Sequence, residues 1–180
     1  KSALTVFAQD SASKLILYTQ ADIRRSEADE QVTEFVAFWK KIAKSVSVSA
    51  TLVFDSRFTN YRQLAKLDAQ GVRFITLRRR GVSLIRAAEQ LPPSAWHRVT
   101  VDHPKRKFRR PLVHESRVRL PGYPSPMRQI IMRDNGHEKP TFLITNDYGS
   151  PIGLLVSRYA RRWNVENGIA EAVKFFNLNA

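Results

Sequence analysis

The chain has 180 residues, of which 43% are hydrophobic, and its 30 Lys and Arg against 16 Asp and Glu give a formal net charge of +14. This apolar content excludes a disordered basic tail, the lack of cysteine excludes disulfides and thiolate chemistry, and no apolar run approaches the ~20 residues of a membrane-spanning helix. A pI near 10.6 indicates a polyanionic partner, of which nucleic acid is the commonest.

Hydrophobic patterning predicts both strands and helices in the first 80 residues. Two strands, at 3–9 and 14–20, form a hairpin around the polar turn at 10–13. They are followed by a helix at 30–44, a strand at 51–54, a helix at 59–69 and a strand at 72–77. The continuous apolar run at 51–54, which ends at Asp55, is typical of a strand buried on both faces.

The pattern changes between 81 and 141, where prolines and short alternating stretches replace the helical periodicity. This change predicts a small, mainly antiparallel β subdomain inserted into an α/β domain. Residues 142–145 return to the main sheet, and 152–176 form one long helix. The expected organisation is therefore a core in two parts, 1–80 and 142–180, separated by a β-rich basic insertion at 81–141.

Almost all of the excess positive charge lies in the middle of the chain. Residues 1–55 are neutral overall, residues 56–140 carry a net charge of +13, and residues 141–180 carry +1. Charge needed only for solubility would be spread more evenly, so we expect this segment to contact the phosphates of nucleic acid. The two densest clusters are Arg78, Arg79 and Arg80, and Lys105, Arg106, Lys107, Arg109 and Arg110.

Two groups of side chains are candidates for chemistry. Asp55 follows a strand, at the sheet edge where open α/β folds bind ligands, although a carboxylate there can also cap the next helix. On the last helix Tyr159, Arg162 and Glu166 fall within about 60° of one another. Lys174 lies further round the same side. This combination suits a site for a divalent cation and phosphates, while a surface ion pair between Arg162 and Glu166 is the simpler alternative.

These residues resemble the motifs of a known enzyme family. The strand end Val53-Phe54-Asp55 and the helical set Tyr159, Arg162 and Glu166 are similar to those of the DDE-type transposases of bacterial insertion sequences. The likeness is to the subgroup with a β-strand insertion between the second Asp and the Glu, whose signature is Tyr, two residues, Arg, three residues, Glu, six residues, Lys. Here Lys174 stands one position later than the signature requires.

The resemblance implies a fold and an activity. The fold would be an RNase H-like mixed sheet with flanking helices, lacking its first strand. Asp55 and Glu166 would be the second and third carboxylates that hold two Mg²⁺ ions, with Mn²⁺ as a substitute. The enzyme would cleave and join double-stranded DNA at insertion-sequence ends and at the target. Tyr159, Arg162 and Lys174 would contact that DNA. A homodimer in the bacterial cytoplasm, associated with the nucleoid and not with a membrane, is also expected.

The family's first Asp has no clear counterpart in the chain. Asp10 is a weak candidate, because counting strands places it in the hairpin turn, where Asp is favoured for backbone reasons. We expect the first Asp to precede Lys1, and the 180-residue piece alone to be weakly active or inactive. Two other functions stay open: another RNase H-like nuclease, and a non-catalytic basic module that binds nucleic acid.

Overall fold

The computed structural model of the chain describes residues 4–42, 50–102, 107–162 and 165. In these residues the protein is a mixed α/β structure with a six-stranded mixed sheet, a separate two-stranded antiparallel sheet and four α-helices. In chain order the elements are β1 (Leu4–Gln9), β2 (Ile16–Ile23), α1 (Gln31–Ile42), β3 (Thr51–Phe54), α2 (Tyr61–Ala69), β4 (Arg73–Leu77), α3 (Val82–Glu89), β5 (His97–Arg98), β6 (Leu112–Val118), β7 (Met127–Arg133), β8 (Thr141–Thr145) and α4 (Ile152–Arg161).

The six-stranded sheet has the order β3-β4-β8-β7-β6-β5. β3 and β4 are parallel and are connected by α2, whereas every other neighbouring pair is antiparallel. Because β3 and β4 run in the same direction, the residues that follow them lie at the same edge of the sheet. Asp55 and Arg78 are those residues, so the topology places the candidate carboxylate and the first basic cluster at one edge.

Helices cover both faces of this sheet. Neighbouring residues of β4 face opposite sides, as the period of a strand requires. Ile75 packs with residues of α4, and Phe74 packs with residues of α1 and α2. α3 covers a third cluster on the Phe142 side of β8. No helix in the described ranges is long and apolar enough to cross a membrane.

The predicted strand at 51–54 forms as β3, but its burial differs from the prediction. All four of its residues are only partly buried, and within the described residues β4 is its one partner. β3 is therefore an outermost strand of the described sheet. Its continuous apolar run is explained by contacts on both faces, since Val53 packs in the α4 cluster and Leu52 in the α1–α2 cluster.

The segment at 81–141 also differs from the predicted inserted subdomain. It begins with the unpredicted helix α3, and its strands β5–β7 are antiparallel as expected. However, β7 pairs with β8 along its length, so these strands extend the main sheet instead of forming a separate unit. Residues 127–132 are all buried, because both faces of β7 lie under other elements.

The N-terminal hairpin β1–β2 forms its own sheet and packs against α1. The ring of Tyr18 lies 5.7 Å from that of Phe35 and 5.2 Å from that of Phe38, measured between centroids. In the turn, the Asp10 carboxylate accepts hydrogen bonds from the hydroxyl and backbone N–H of Ser13, and these bonds lower the pKa of Asp10. Asp10 therefore has the turn role that strand counting predicts.

The buried side chain of Arg128 connects β7, β6 and the loop that leads into α4. Its Nε and Nη2 donate to the two carboxylate oxygens of Glu115, at 2.7 and 3.2 Å. Its Nη1 donates to the backbone carbonyls of Asp147 and Ser150, at 2.9 and 2.7 Å. A bidentate guanidinium–carboxylate pair has a defined geometry, so Arg128 fixes the position of the loop from which α4 starts.

The carboxylate of Asp147 forms hydrogen bonds within the same loop. Ser150 donates from its backbone N–H (2.9 Å) and hydroxyl (2.7 Å) to the buried Asp147 carboxylate, and Arg158 Nη1 lies 3.6 Å from Oδ2. Burial raises the pKa of this carboxyl, but the Ser150 hydrogen bonds and the positive charge of Arg73 outweigh it and leave the pKa below its ordinary value. The ionised form of Asp147 is therefore favoured in the folded protein.

We expect Arg128→Met to lower the free energy of unfolding by about 3 kcal/mol, because it leaves Glu115 and two loop carbonyls without their donor. Urea unfolding measures the change. Arg119→Met, which removes an exposed arginine from the turn after β6, is the control and should change stability by less than about 0.5 kcal/mol. Equal effects of the two substitutions would contradict the anchoring role of Arg128.

We expect Asp147 to contribute stability that disappears in acid. Because its folded pKa lies below the ordinary value of 3.8, its stabilisation is present above about pH 4 and is lost as the pH falls through the folded pKa. Asp147→Asn should therefore be less stable than the wild type at pH 7, and its unfolding free energy should fall less steeply below pH 4. Urea unfolding at several pH values tests this. Parallel pH profiles for the two proteins would refute it.

Candidate functional site

Asp55 lies between β3 and a short 3-10 turn, Ser56–Phe58, which it caps. Its Oδ1 accepts hydrogen bonds from the backbone N–H and the hydroxyl of Ser56, the latter at 3.0 Å. The carboxylate is still 41% exposed. The capping role that the sequence left open is therefore present, and it uses Oδ1, while the second oxygen, Oδ2, accepts neither of these bonds.

Arg162 approaches that second oxygen from the end of α4. Its Nη1 lies 3.8 Å from Asp55 Oδ2, and the Arg162 side chain is only 21% exposed. The guanidinium carbon is 5.3 Å from the centre of the Tyr159 ring, which is a cation–π geometry. Residues from the two motifs, far apart in the sequence, thus meet at one edge of the sheet.

Two threonine hydroxyls lie close to the backbone of Asp55. Thr76 of β4 is fully buried, and its hydroxyl lies 2.6 Å from that of Thr59 and 3.4 Å from the backbone carbonyl of Asp55. The sequence analysis missed both threonines. The available signal was a hydroxyl residue between the apolar residues Ile75 and Leu77 of β4, because a buried hydroxyl requires a partner.

The three arginines after β4 have different surroundings. Arg78 is partly buried and donates to Gln129 of β7 at 2.7 Å. Arg80 is exposed and donates to the backbone carbonyls of Lys139 and Pro140, at 3.4 and 3.3 Å. Arg79 is also exposed and lines a cleft beside the Asp55 turn. Their contact with DNA stays a prediction.

The second basic cluster is only partly described. Lys107, Arg109 and Arg110 are exposed, and Lys107 Nζ lies 5.7 Å from the centre of the Phe108 ring. Four of the predicted site residues lie outside the described residues: Lys105, Arg106, Glu166 and Lys174. Of the predicted metal ligands, the structure therefore describes Asp55.

The donor set can be compared with what Mg²⁺ requires. Mg²⁺ prefers oxygen ligands and is usually bound through one or two carboxylates, and the partly exposed Asp55 carboxylate is a ligand of that type. The described residues contain no group of three or more His, Cys, Asp or Glu side chains that could hold a metal ion. Asp55 fits as one ligand, with Glu166 as the second that the sequence predicts.

We expect a weak but measurable coupling between Asp55 and Arg162. A double-mutant cycle with Asp55→Asn and Arg162→Gln should give about 0.5 kcal/mol in urea unfolding at low salt, because the pair is partly exposed. The control cycle combines Asp55→Asn with Arg158→Gln. Arg158 lies one helical turn before Arg162 and contacts Thr51 and Asp147. The control should give no coupling. Equal values in the two cycles would show that the approach of Arg162 to Asp55 is not specific.

Comparison with known proteins does not identify a family or a function for the chain. No model of a protein family matches the chain, and no curated protein is similar to it. The functional proposal therefore rests on the chemistry of the residues that meet around Asp55 and on the distribution of positive charge beside them.

Proposed function

We propose that the chain is the catalytic core of a DDE-type insertion-sequence transposase, which carries out metal-dependent cleavage and transfer of DNA strands. The observation that carries the proposal is the approach of Arg162 to Asp55, at 3.8 Å between Nη1 and Oδ2. The strand-end carboxylate and the Tyr159–Arg162 helix are the two motifs of the family resemblance. Their proximity is what a shared active site requires.

Part of the core arrangement supports an RNase H-like fold, although β1 and β2 form a sheet of their own. β3 and β4 are parallel and are joined by α2, and α4 packs on the opposite face of the sheet. The hairpin β1–β2 would correspond to the second and third strands of that fold, and β5–β7 to the inserted strands. In open α/β sheets, ligands bind beyond the carboxyl ends of parallel strands, where Asp55 lies.

The proposed chemistry divides between the metal and the protein. Mg²⁺ held by Asp55 and Glu166 would activate the attacking oxygen and stabilise the leaving oxygen at a phosphodiester. The Ser56 hydrogen bonds orient the Asp55 carboxylate through Oδ1 and leave Oδ2 accessible. The guanidinium of Arg162, which contacts the Tyr159 ring, would contact a phosphate oxygen beside that carboxylate.

Positive charge next to the site supports DNA as the substrate. Arg78, Arg79 and Arg80 follow β4 at the edge where Asp55 follows β3. A polyanionic duplex would be drawn to this edge because phosphate neutralisation releases condensed counterions. In the proposed complex, the basic residues position the DNA and the carboxylates act on it.

One observation favours a second candidate, a non-catalytic DNA-binding module. Asp55 already caps the 3-10 turn and lies beside Arg162, and these contacts account for its position without any metal. Such a module would bind DNA through the same basic edge and would not cleave it. Metal-dependent cleavage by the full-length protein separates the two candidates.

We expect Asp55→Asn in the full-length protein to abolish Mg²⁺-dependent cleavage of DNA carrying the element's ends. The amide nearly preserves the shape of the side chain but is a poor metal ligand, so DNA binding should change less than threefold. Strand nicking on a gel and binding without metal are the two measurements.

Asp10→Asn is the matched control, because Asp10 is a partly exposed turn residue whose change removes the same charge. Its cleavage rate should equal that of the wild type. Cleavage by Asp55→Asn at the wild-type rate, or a wild type that binds DNA and never cleaves it, would leave the binding module as the function.

A further inference from the structure

A polar cleft lies immediately beyond the Asp55 turn. It is shallow and open to solvent, has a volume of about 420 Å³ and is formed by the start of α2, the segment after β4 and the loop between β6 and β7. Its lining residues are Thr59, Asn60, Tyr61, Arg62, Arg79 and Pro121. This lining contains two arginines and, among the described residues, no carboxylate. The cleft is therefore electropositive.

The side chain of Arg62 packs against the loop between β6 and β7. Its aliphatic stem lies across Gly122, where an added Cβ would be only 3.0 Å from Arg62 Cγ. Gly122 has a φ of +79°, a conformation in which glycine is favoured. The loop carrying Gly122 is anchored by Tyr123, whose hydroxyl donates to Asp68 Oδ2 of α2 at 2.6 Å. The wall behind Arg62 is thus fixed to the same helix.

The cleft is connected to the candidate catalytic residue. Thr59, which lines it, is hydrogen-bonded to Thr76, and the Thr76 hydroxyl in turn contacts the Asp55 backbone carbonyl. Arg79 is carried by the segment after β4, at the same edge of the sheet. The cleft with its two arginines therefore adjoins the turn that carries Asp55.

We propose that Arg62 and Arg79 together clamp one backbone phosphate of the DNA, next to the scissile site and distinct from it. Two planar guanidinium groups on one cavity are suited to a phosphate, because each can donate two hydrogen bonds to its oxygens. Phosphate contacts position a protein without reading base sequence. The clamp rests on the proposed function and adds Arg62, which the sequence analysis did not single out, to the DNA contacts.

The test measures binding of a short DNA duplex at several salt concentrations in EDTA. Arg62→Ala and Arg79→Ala should each weaken binding about tenfold, the equivalent of one charge-assisted hydrogen bond. Each alone should reduce the slope of log K against log salt by less than 1, because the remaining arginine still neutralises the phosphate, whereas the double variant should reduce the slope by about 1. The double variant should lose much less than a hundredfold, because both arginines hold the same phosphate. Both side chains are exposed, so the variants should fold, and circular dichroism checks this.

Two further variants separate a clamp from general electrostatics. Arg86→Ala removes the same charge from an exposed position on α3, outside the cleft, and should change affinity less than twofold. Arg62→Lys keeps the charge but loses the planar fork, so it should retain the wild-type salt slope and still bind several-fold more weakly.

The outcomes distinguish this inference from the proposed function. If the wild type binds and cleaves DNA while both alanine variants match Arg86→Ala, the clamp is wrong and the transposase proposal stands. If losses in the two single variants multiply in the double variant, the arginines contact separate phosphates and the shared clamp is wrong. A wild type that binds no DNA overturns both. Non-additive losses confined to the cleft variants support the clamp.

Discussion

The hydrogen bonds of the buried Arg128 guanidinium are the interaction on which the candidate site depends most. Its bonds to Glu115 and to the carbonyls of Asp147 and Ser150 fix the loop before α4 relative to the central strands. The Asp147 carboxylate then connects that loop to Arg158 within α4. Because the start and the middle of the helix are both held, its end has a defined direction, and Arg162 reaches Asp55.

Packing on the sheet stabilises α4 in this position. Leu155, Val156 and Ala160 of α4 are buried against Ile75 of β4 and the strands beside it. Burying apolar area contributes roughly 25 cal/mol per Å², so this contact supplies stability while the polar loop contacts supply orientation. The site thus combines a helix held by apolar burial with a carboxylate held by a strand end and a cap.

The surroundings of Asp55 are compatible with both its structural role and the proposed chemical role. Ser56 occupies one oxygen through a local cap, and Arg162 stands 3.8 Å from the other. An ion pair at that distance and exposure is weak, so a divalent cation or a phosphate can compete for either partner. A buried, tightly bonded pair would hold both groups too firmly for such exchange.

The sequence by itself determined the elements and the location of the charge. The apolar runs and periodicities at 51–54, 59–69 and 72–77 match β3, α2 and β4 closely, because local patterning reflects which side of an element is buried. The helix α3 was missed, because its eight residues lie next to a proline-rich segment that suggested strands.

Only the tertiary structure decided which elements meet. Alternation predicted antiparallel strands within 81–141, but a strand pattern does not identify its neighbour, and β7 pairs with β8 as part of the main sheet. The family resemblance implied that Arg162 and Asp55 share a site, but their contact and the position of Arg62 against Gly122 join residues distant in sequence. Such contacts follow from how helices and loops pack on a shared sheet, which no local periodicity encodes.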